Sequence, residues 1–328
     1  MPRAARHPHA TTVLAGLLAI VALAGCGSAR PGRPIAVAPP ESLPASQISH
    51  VVVMLLENRE YNDVLGPTHA TSFLARLAAR HALATGSHGV SHPSLPNYLA
   101  LTGGSTFGIT SDCTDCSVSA TNLVDQLEGA HVSWKAYMED LPRPCFAGAA
   151  SAGYAKKHDP FLYYRDVAGN RARCQRVVGF SQLAADLRAG SLPGFAWISP
   201  NLCDDGHDCP TDQADRFTAG LVPSLLAELG PQGFLVITWD EGSSDAGCCG
   251  GAHGGRVATI LAGPGARAGA RSSVPSDHYS ILRTVEDAFG LAHLGQAACP
   301  CTPSLDGLLN PGATHPAAAA RVSPVPAR

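Results

Sequence analysis

Two apolar segments, far apart in the chain, each end in a pair of side chains that carry oxygen atoms. Both segments, 50–56 and 233–239, are apolar along almost their whole length, which is typical of strands buried on both faces of a parallel sheet. Open α/β sheets bind their ligands at the carboxyl ends of such strands, so the two pairs predict a metal site at one sheet edge. The alternative is that both pairs cap helices. The four residues are Glu57, Asn58, Asp240 and Glu241.

Strand-like and helix-like segments alternate along the chain. This alternation predicts a three-layer α/β/α fold, in which helices cover both faces of a mostly parallel central sheet. The predicted strands are 50–56, 132–138, 194–199, 233–239 and 257–262. The predicted helices are 71–83, 121–128, 181–189, 214–229 and 279–289.

The two ends of the chain differ in composition from its middle, because both are rich in proline and alanine. We predict a lipoprotein signal peptide over 1–25, a flexible tether over 26–47, one domain over 48–301 and a disordered tail over 302–328. The N-terminal segment has two arginines before an apolar stretch that is too short for a typical membrane-spanning helix.

The residues at the end of that apolar stretch predict the cellular location of the protein and the way it is anchored. Leu23-Ala-Gly-Cys26 resembles a bacterial lipobox, with Cys26 as the lipidated first residue of the mature chain. The sequence therefore predicts an extracytoplasmic protein, anchored to the cell membrane through Cys26. Ordinary secretory cleavage nearby, which would release the protein, is the alternative.

Several function classes are excluded by charge and by missing motifs. The formal net charge is -3, and it becomes -5 once the predicted signal peptide is removed with its two arginines and no acid. That mild acidity gives no reason to expect nucleic acid as a partner. The chain has no G-x-S-x-G motif of α/β-hydrolases and no nucleotide-binding P-loop.

The cysteine content agrees with export. The chain has 11 cysteines, and setting Cys26 aside leaves an even number, which indicates disulfides in an exported protein. Pairing of Cys203 with Cys209 is the preferred assignment, although the sequence leaves the connectivity open. The Cys-x-x-Cys motif at 113–116 is also compatible with half of a zinc site or with a redox motif.

Ser94 is the candidate nucleophile. Prolines at 93 and 96 fix the backbone around it, and the following stretch can form a helix. A serine at a helix N-terminus lies where free backbone N–H groups and the helix dipole favour an anion, which suits attack on a phosphate. The alternative is that Ser94 only caps the helix.

Four histidines lie in segments that can reach the same sheet edge. His207 follows the strand predicted at 194–199, where it can orient a phosphate or protonate a leaving group. His253 lies in a glycine-rich loop after the second oxygen-bearing pair. The roles of His158 and His278 stay open. His158 lies in a segment that can approach the same sheet edge, and His278 is either a ligand or a helix cap.

Six blocks, in order, resemble the phosphoesterase family of bacterial and fungal acid phosphatases and phospholipases C. The resemblance covers roughly residues 48–291 and implies a fold like that of the alkaline-phosphatase superfamily. The blocks are Glu57–Gly66, His92–Asn97, Tyr154–Phe161, Ser199–Asp208, Thr238–Glu241 and Asp277–Glu286.

The resemblance also implies a metal centre and a set of catalytic side chains. A divalent cation would be held by Glu57, Asn58, Asp240, Glu241 and Ser94. All-oxygen ligands favour Mg, Mn or Ca, whereas one added histidine would admit Zn or Fe, so the identity of the metal stays open. Ser94 matches the nucleophile, and Asn97 would stabilise the transferred phosphoryl group. His207 and His253 match phosphate-contacting or acid-base positions, and His92 lies two residues before the nucleophile.

These features predict an exported, metal-dependent phosphoesterase that hydrolyses phosphate monoesters through a serine nucleophile. Its substrate would be a small phosphorylated compound or a phospholipid. The first alternative is a phosphodiesterase or phospholipase C that acts on phospholipid head groups. An alternative of another class is a lipid-tethered protein that binds phosphate esters without turnover. The oligomeric state is open.

Overall fold

The computed structural model describes residues 50–314. The predicted signal peptide, the lipidated Cys26 and the predicted tether therefore lie outside the described residues, as do residues 315–328 of the predicted tail. Between 50 and 314, no helix is both long enough and apolar enough to cross a lipid bilayer.

Twelve strands are found in the described residues, and eight of them form one sheet in the order β11-β2-β10-β9-β1-β8-β4-β7. The strands at its centre, β9, β1 and β8, are parallel, whereas β10 is antiparallel to both of its neighbours. The strands are β1 Val51–Leu56, β2 Ala82–Ala84, β3 Ser87–His88, β4 Trp134–Met138, β5 Ala150–Ser151, β6 Tyr154–Ala155, β7 Val177–Gly179, β8 Phe195–Ser199, β9 Phe234–Trp239, β10 Thr259–Ala262, β11 Arg271–Ser272 and β12 Ser276–Asp277.

Helices cover both faces of this sheet. On β1, Val51, Val53 and Leu55 pack towards α3, α4 and α9, while the alternate residues pack towards α2, α7 and α8. This alternation follows from the two-residue period of a strand. The helices of the described residues are α1 Tyr61–Leu65, α2 Phe73–Arg80, α3 Ser94–Gly103, α4 Leu123–Gly129, α5 Arg165–Ala168, α6 Arg171–Cys174, α7 Phe180–Ala189, α8 Thr211–Glu228 and α9 His278–Phe289.

The predicted three-layer, mostly parallel α/β architecture is confirmed, with two local corrections. The helix predicted over 71–83 ends at Arg80, because residues 82–84 pair with β10 as a strand. The tail was predicted to begin at 302, but Leu305, Leu308 and Leu309 are buried in the core. The packed part of the chain therefore extends beyond the predicted boundary at 301.

Candidate active site

The two oxygen-bearing pairs lie side by side at the carboxyl edge of the sheet. Strands β1 and β9 are neighbours, and Leu56 is paired with Trp239, so Glu57 and Asp240 follow at the same level. The chain turns at Asn58, which has a φ of 54°, and its backbone N–H donates to Oδ1 of Asp240 over 2.9 Å. The predicted meeting of the two strand ends is therefore found in the structure.

Asp240 is a fully buried carboxylate in a negatively charged environment. Burial first, and then the nearby charges of Glu57 and Glu241, raise the pKa of Asp240 well above its usual range. Its Oδ2 atom is buried and has no hydrogen-bond partner among the described residues. A cation at this edge would satisfy that oxygen and offset the three converging acids.

Ser94 is the first residue of α3, and its side chain is buried against the same acids. Its hydroxyl donates to Oε2 of Glu57 over 3.0 Å and also lies beside the carboxylate of Asp240. The next backbone N–H, that of Leu95, donates to Oδ1 of Asp112 over 3.0 Å. Ser94 thus lies at a helix N-terminus and at the centre of the acidic cluster.

Tyr98 was not predicted as a site residue, but its hydroxyl donates to Oε1 of Glu57. It follows Ser94 by four residues in α3, so both side chains lie on one face of the helix. That spacing was visible in the sequence and could have identified it. Both oxygens of Glu57 are therefore hydrogen-bonded from α3.

His158 lies between two buried carboxylates. Its Nε2 is 3.2 Å from Oε2 of Glu57, and its Nδ1 is 3.2 Å from Oδ2 of Asp205. Its ring stacks on that of Tyr98, with the centroids 5.3 Å apart. Burial lowers the pKa of His158, but the charge of Glu57 and the hydrogen bond to Asp205 outweigh it and raise the pKa to about 9. His158, left open by the sequence, thus belongs to the site.

His207 lies next to His158, and its side chain is more exposed than that of His158. Its Nδ1 is 2.6 Å from Oδ1 of Asp208, and its Nε2 is 3.1 Å from Nζ of Lys157. Lys157 also contacts Oδ2 of Asp112 at 3.1 Å. The ammonium group of Lys157 therefore lies at the open side of the site. No sequence pattern had indicated Lys157 as a site residue.

A cluster of possible metal ligands shares Glu57 with the predicted oxygen-ligand set. Glu57, His158 and His207 each offer one ligand atom, and these atoms lie within 4.8 Å of one another. The edge therefore presents two overlapping donor sets, one made only of oxygen donors and one containing two histidines. The donor chemistry of the oxygen set fits a divalent cation, whereas the second set would fit one only after His158 loses its proton.

His92 contacts a predicted metal ligand rather than Ser94. Its Nδ1 is 2.6 Å from Oε2 of Glu241, and its Nε2 is 3.2 Å from the carbonyl oxygen of Ser244. Burial raises the pKa of Glu241 to about 7, even though the neighbouring His92 opposes that rise. His92 therefore orients Glu241.

The structure gives Asn97 a different role from the predicted contact with a phosphoryl group. Its Oδ1 accepts from the N–H groups of Val90 and Ser91 at 2.8 and 3.1 Å. Its Nδ2 donates to the carbonyl oxygens of Ser91 and Pro93 at 2.8 and 3.3 Å. These four hydrogen bonds use the full capacity of the amide, so Asn97 holds the loop that leads to Ser94.

The remaining two candidate histidines differ in burial and in contacts. His253 is exposed, and its ring contacts the carbonyl oxygen of Gly251 at 2.9 Å; among residues 50–314 it has no hydrogen bond to Glu57, Ser94 or Asp240. His278 is buried, its Nε2 donates to the carbonyl oxygen of Asp240, and burial lowers its pKa to about 4.

His278 is thus a neutral positioning group for Asp240. It does not cap α9, because Asp277 is the capping residue of that helix.

Disulfides hold the loops that surround the site. The predicted pair Cys203–Cys209 is confirmed, and it closes the loop that carries Asp205 and His207. The motif at 113–116 also forms a disulfide, directly after Asp112, which argues against half of a zinc site there. The other two disulfides in the described part of the chain are Cys145–Cys174 and Cys299–Cys301.

The fold is similar to that of a solved structure from the alkaline-phosphatase superfamily. That structure is of a protein from Vibrio parahaemolyticus and matches with a TM-score of 0.54 and 10% sequence identity over 78% of this chain and 71% of that one. The chain belongs to the Phosphoesterase family, whose sequence profile matches residues 67–292. The family prediction is confirmed.

Two relatives illustrate the similarity within this family. A phosphate-repressible acid phosphatase of Penicillium chrysogenum is 30% identical over 280 residues, which are 79% of this chain and 65% of the relative. A phosphatidylinositol-3-phosphatase of Mycobacterium tuberculosis is 31% identical over 252 residues, which are 76% of this chain and 79% of the relative. This chain thus spans slightly less than two thirds of the fungal protein.

Proposed function

We propose that the protein hydrolyses phosphate monoesters, with Ser94 as nucleophile and a divalent cation at the sheet edge. The single observation that carries this proposal is the position of Ser94. Its hydroxyl lies at the start of α3, hydrogen-bonded to Glu57 and beside Asp240, which is an arrangement that aims it at a phosphate bound to the edge. The similarity to acid phosphatases supports the same reaction.

The residues that would hold the cation are Glu57, Asn58, Ser94, Asp240 and Glu241. The unpartnered Oδ2 of Asp240 fits this assignment, because a buried carboxylate oxygen needs a partner. His207 offers a nitrogen donor on the other side of Glu57, whereas His158, which is held between Glu57 and Asp205, would have to lose a proton before it could bind a metal. When bound, the cation would lower the pKa of a coordinated hydroxyl and neutralise the charge of phosphate oxygens.

The chain's own groups then account for the proton and bond changes. Ser94 loses its proton along the hydrogen bond to Glu57, and Oγ forms a bond to phosphorus while the ester oxygen departs with its electron pair. The departing oxygen receives a proton from the Lys157–His207 pair, in which the ammonium lies 3.1 Å from Nε2 of the ring. Water then attacks phosphorus and returns a proton to the Lys157–His207 pair, while Oγ departs with its electron pair and takes back the proton from Glu57, which releases phosphate and restores Ser94.

The ammonium of Lys157 supplies positive charge near the open side of the site. It lies 3.1 Å from His207, and the charges of Glu57 and Asp240 both act on it, so it is close to the reacting edge. A phosphate monoester carries more negative charge than a diester, and the ammonium of Lys157, which also pairs with Asp112, suits the monoester. The substrate class we propose is therefore a monoester, including the phosphate group of a lipid such as phosphatidylinositol 3-phosphate.

The proposal is tested with the purified full chain and four substrates. We expect hydrolysis of p-nitrophenyl phosphate and of phosphatidylinositol 3-phosphate in vesicles, loss of activity in chelator, and recovery with one divalent metal. Preferred cleavage of bis-p-nitrophenyl phosphate or phosphatidylcholine would instead indicate a phosphodiesterase or phospholipase C. Stoichiometric binding with the ester recovered intact would indicate a binding protein, and either result would contradict the proposal.

We also propose that the protein is anchored outside the cytoplasm by a lipid on Cys26. The sequence Leu23-Ala-Gly-Cys26 is the observation behind this proposal. Two acyl chains on a thioether-linked glycerol are enough for stable anchoring. The native protein should fractionate with membranes and incorporate a labelled fatty acid, and Cys26→Ser should remove the label. A wild-type protein without lipid would contradict the anchor.

A further inference from the structure

Two adjacent cysteines stand apart from the other cysteines of the described chain. Eight cysteines between 50 and 314 form four disulfides, while Cys248 and Cys249 are unpaired. Their sulfur atoms lie only 2.7 Å apart, and both side chains are half-buried. The proposed phosphatase chemistry uses neither of them.

The pair lies in a tight turn between the acidic edge and β10. The N–H of Cys248 donates to the carbonyl oxygen of Ala252, and the N–H of Ala252 donates to that of Cys249, both over 3.0 Å. Gly250 and Gly251 have φ values of 61° and 85°, in the left-handed region that glycine tolerates. The turn is therefore held closed with both thiols on one side.

Asp277, the capping residue of α9, lies against this turn. Its Oδ2 is 3.7 Å from Sγ of Cys249, and Sγ of Cys248 is 3.4 Å from the carbonyl oxygen of Ser276. The two thiols and the carboxylate form a group that is compatible in composition with a bound metal. The cluster thus has two possible uses, a site for a thiophilic metal or a disulfide.

The distance between the sulfurs decides between these uses. Two thiolates on one tetrahedral zinc, with bonds of about 2.3 Å, lie about 3.8 Å apart. A disulfide requires about 2.05 Å. The observed 2.7 Å is closer to the disulfide distance, and the four other disulfides indicate an oxidising environment for folding.

We propose that Cys248 and Cys249 form a redox pair that closes to a disulfide between adjacent residues. In this step two thiols become one S–S bond, and a donor disulfide of a thiol oxidoreductase or small thiol compound is reduced to two thiols. The other four disulfides join Cα atoms 4.7–5.7 Å apart. Adjacent residues have Cα atoms only about 3.8 Å apart, so this bond is the most easily reduced of the five.

Peptide mapping of the full chain tests the closed state. Trypsin releases residues 217–256 as one peptide, in which Cys248 and Cys249 are the only cysteines. Protein alkylated without reduction should give this peptide two hydrogens lighter than the dithiol and free of alkyl groups. Cys249→Ser should leave one alkylated thiol on Cys248, which shows that the reagent reaches the turn. Two alkyl groups on the wild-type peptide, or a bound metal released by thiol reagents, would overturn the proposal.

Graded reduction tests the redox behaviour, with a second peptide of the same digest as control. Peptide 189–216 contains Cys203 and Cys209 and no other cysteine. The disulfide in peptide 217–256 should be reduced, and its thiols alkylated, at a dithiothreitol concentration at least tenfold lower than the one that reduces the disulfide in peptide 189–216. Opening of 189–216 first, or of both together, would contradict a selectively reducible pair. Neither measurement depends on enzymatic activity, so the inference stands apart from the proposed function.

Discussion

Ser94 donates its hydroxyl hydrogen to Oε2 of Glu57 over 3.0 Å, and both side chains are buried. The same oxygen of Glu57 is 3.2 Å from Nε2 of His158. One carboxylate thus connects the candidate nucleophile with a buried cationic ring. Because the two contacts share a single oxygen, a change at Glu57 affects both partners.

The first prediction concerns Glu57→Gln, which keeps the shape of the side chain and removes its charge. We expect kcat/KM for p-nitrophenyl phosphate to fall by about 100-fold or more, because Gln is a poor metal ligand and a poor proton acceptor. Metal content, measured on the same samples, should fall as well. Glu139→Gln is the control, since Glu139 follows β4 at the same edge and contacts the backbone of Asn201. Equal activities of the two variants would argue against a role for Glu57.

The second prediction concerns His158. Its replacement by Gln leaves Glu57 and Asp205 as buried acids without their cation, so the free energy of unfolding should fall by about 3–5 kcal/mol. His131→Asn, at an exposed position with φ of 58°, should change it by less than about 0.5 kcal/mol. Adding Asp205→Asn to His158→Gln should recover part of the loss. Denaturant titration measures all three, and an additional loss in the double variant would contradict this explanation.

Two neighbouring lysines provide a matched pair for the third prediction. Lys157 contacts His207 at the open side of the site, whereas Lys156 donates to the carbonyl oxygen of Thr114 over 2.7 Å. Lys157→Gln should raise KM for p-nitrophenyl phosphate and Ki for inorganic phosphate by about tenfold, because one ammonium near the dianion is lost. Lys156→Gln should leave both constants within about twofold of wild type. Steady-state kinetics decide, and a larger effect at Lys156 would exclude Lys157 as the phosphate-binding lysine.

The parts of the site that were predictable follow long apolar strands. Continuous apolar runs identified β1 and β9, and their parallel pairing brings Glu57 and Asp240 together without any knowledge of the loops. The prolines around Ser94 likewise indicated the start of α3. By contrast, β2, β7 and β11 have two or three residues each, which is too short for a periodic pattern.

The parts that were missed depend on loops and on saturated hydrogen bonds. Asp112 reaches the site from an irregular segment next to the disulfide Cys113–Cys116, and Lys157 from the short 3-10 helix Lys156–His158. No local pattern predicts the long-range contact between them. Asn97 holds the loop before Ser94 through four hydrogen bonds, and no sequence pattern predicts that set of bonds. His253 lies after the second acidic pair in sequence, but its turn carries the ring into solvent.

The fourth prediction concerns stability and pH at Asp186, away from the site. Burial raises the pKa of Asp186, but hydrogen bonds from Lys135, Tyr137 and Gln182 outweigh it and hold the pKa below the ordinary 3.8. A lowered pKa means that the carboxylate stabilises the fold above the unfolded pKa and loses that contribution as the pH falls through the folded pKa.

The difference in unfolding free energy between wild type and Asp186→Asn should therefore be largest above about pH 4 and shrink towards lower pH. Asp63→Asn, at an exposed position of α1, should show little change over the same range. Denaturant titrations at a series of pH values give both curves. A difference for Asp186→Asn that stays constant down to low pH would show that the pKa is not lowered by folding.

The covalent role of Ser94 is tested most directly by acid quenching during turnover of p-nitrophenyl phosphate, followed by mapping of the phosphopeptide. Phosphate should appear on Ser94 in the wild type and be absent from Ser94→Ala, whose kcat should be lower by roughly 1,000-fold or more. Excess metal should not restore Ser94→Ala, and Ser91→Ala in the same loop should keep most of the activity. A phosphopeptide that maps to another residue, or a Ser94→Ala enzyme with near-normal kcat, would contradict the account.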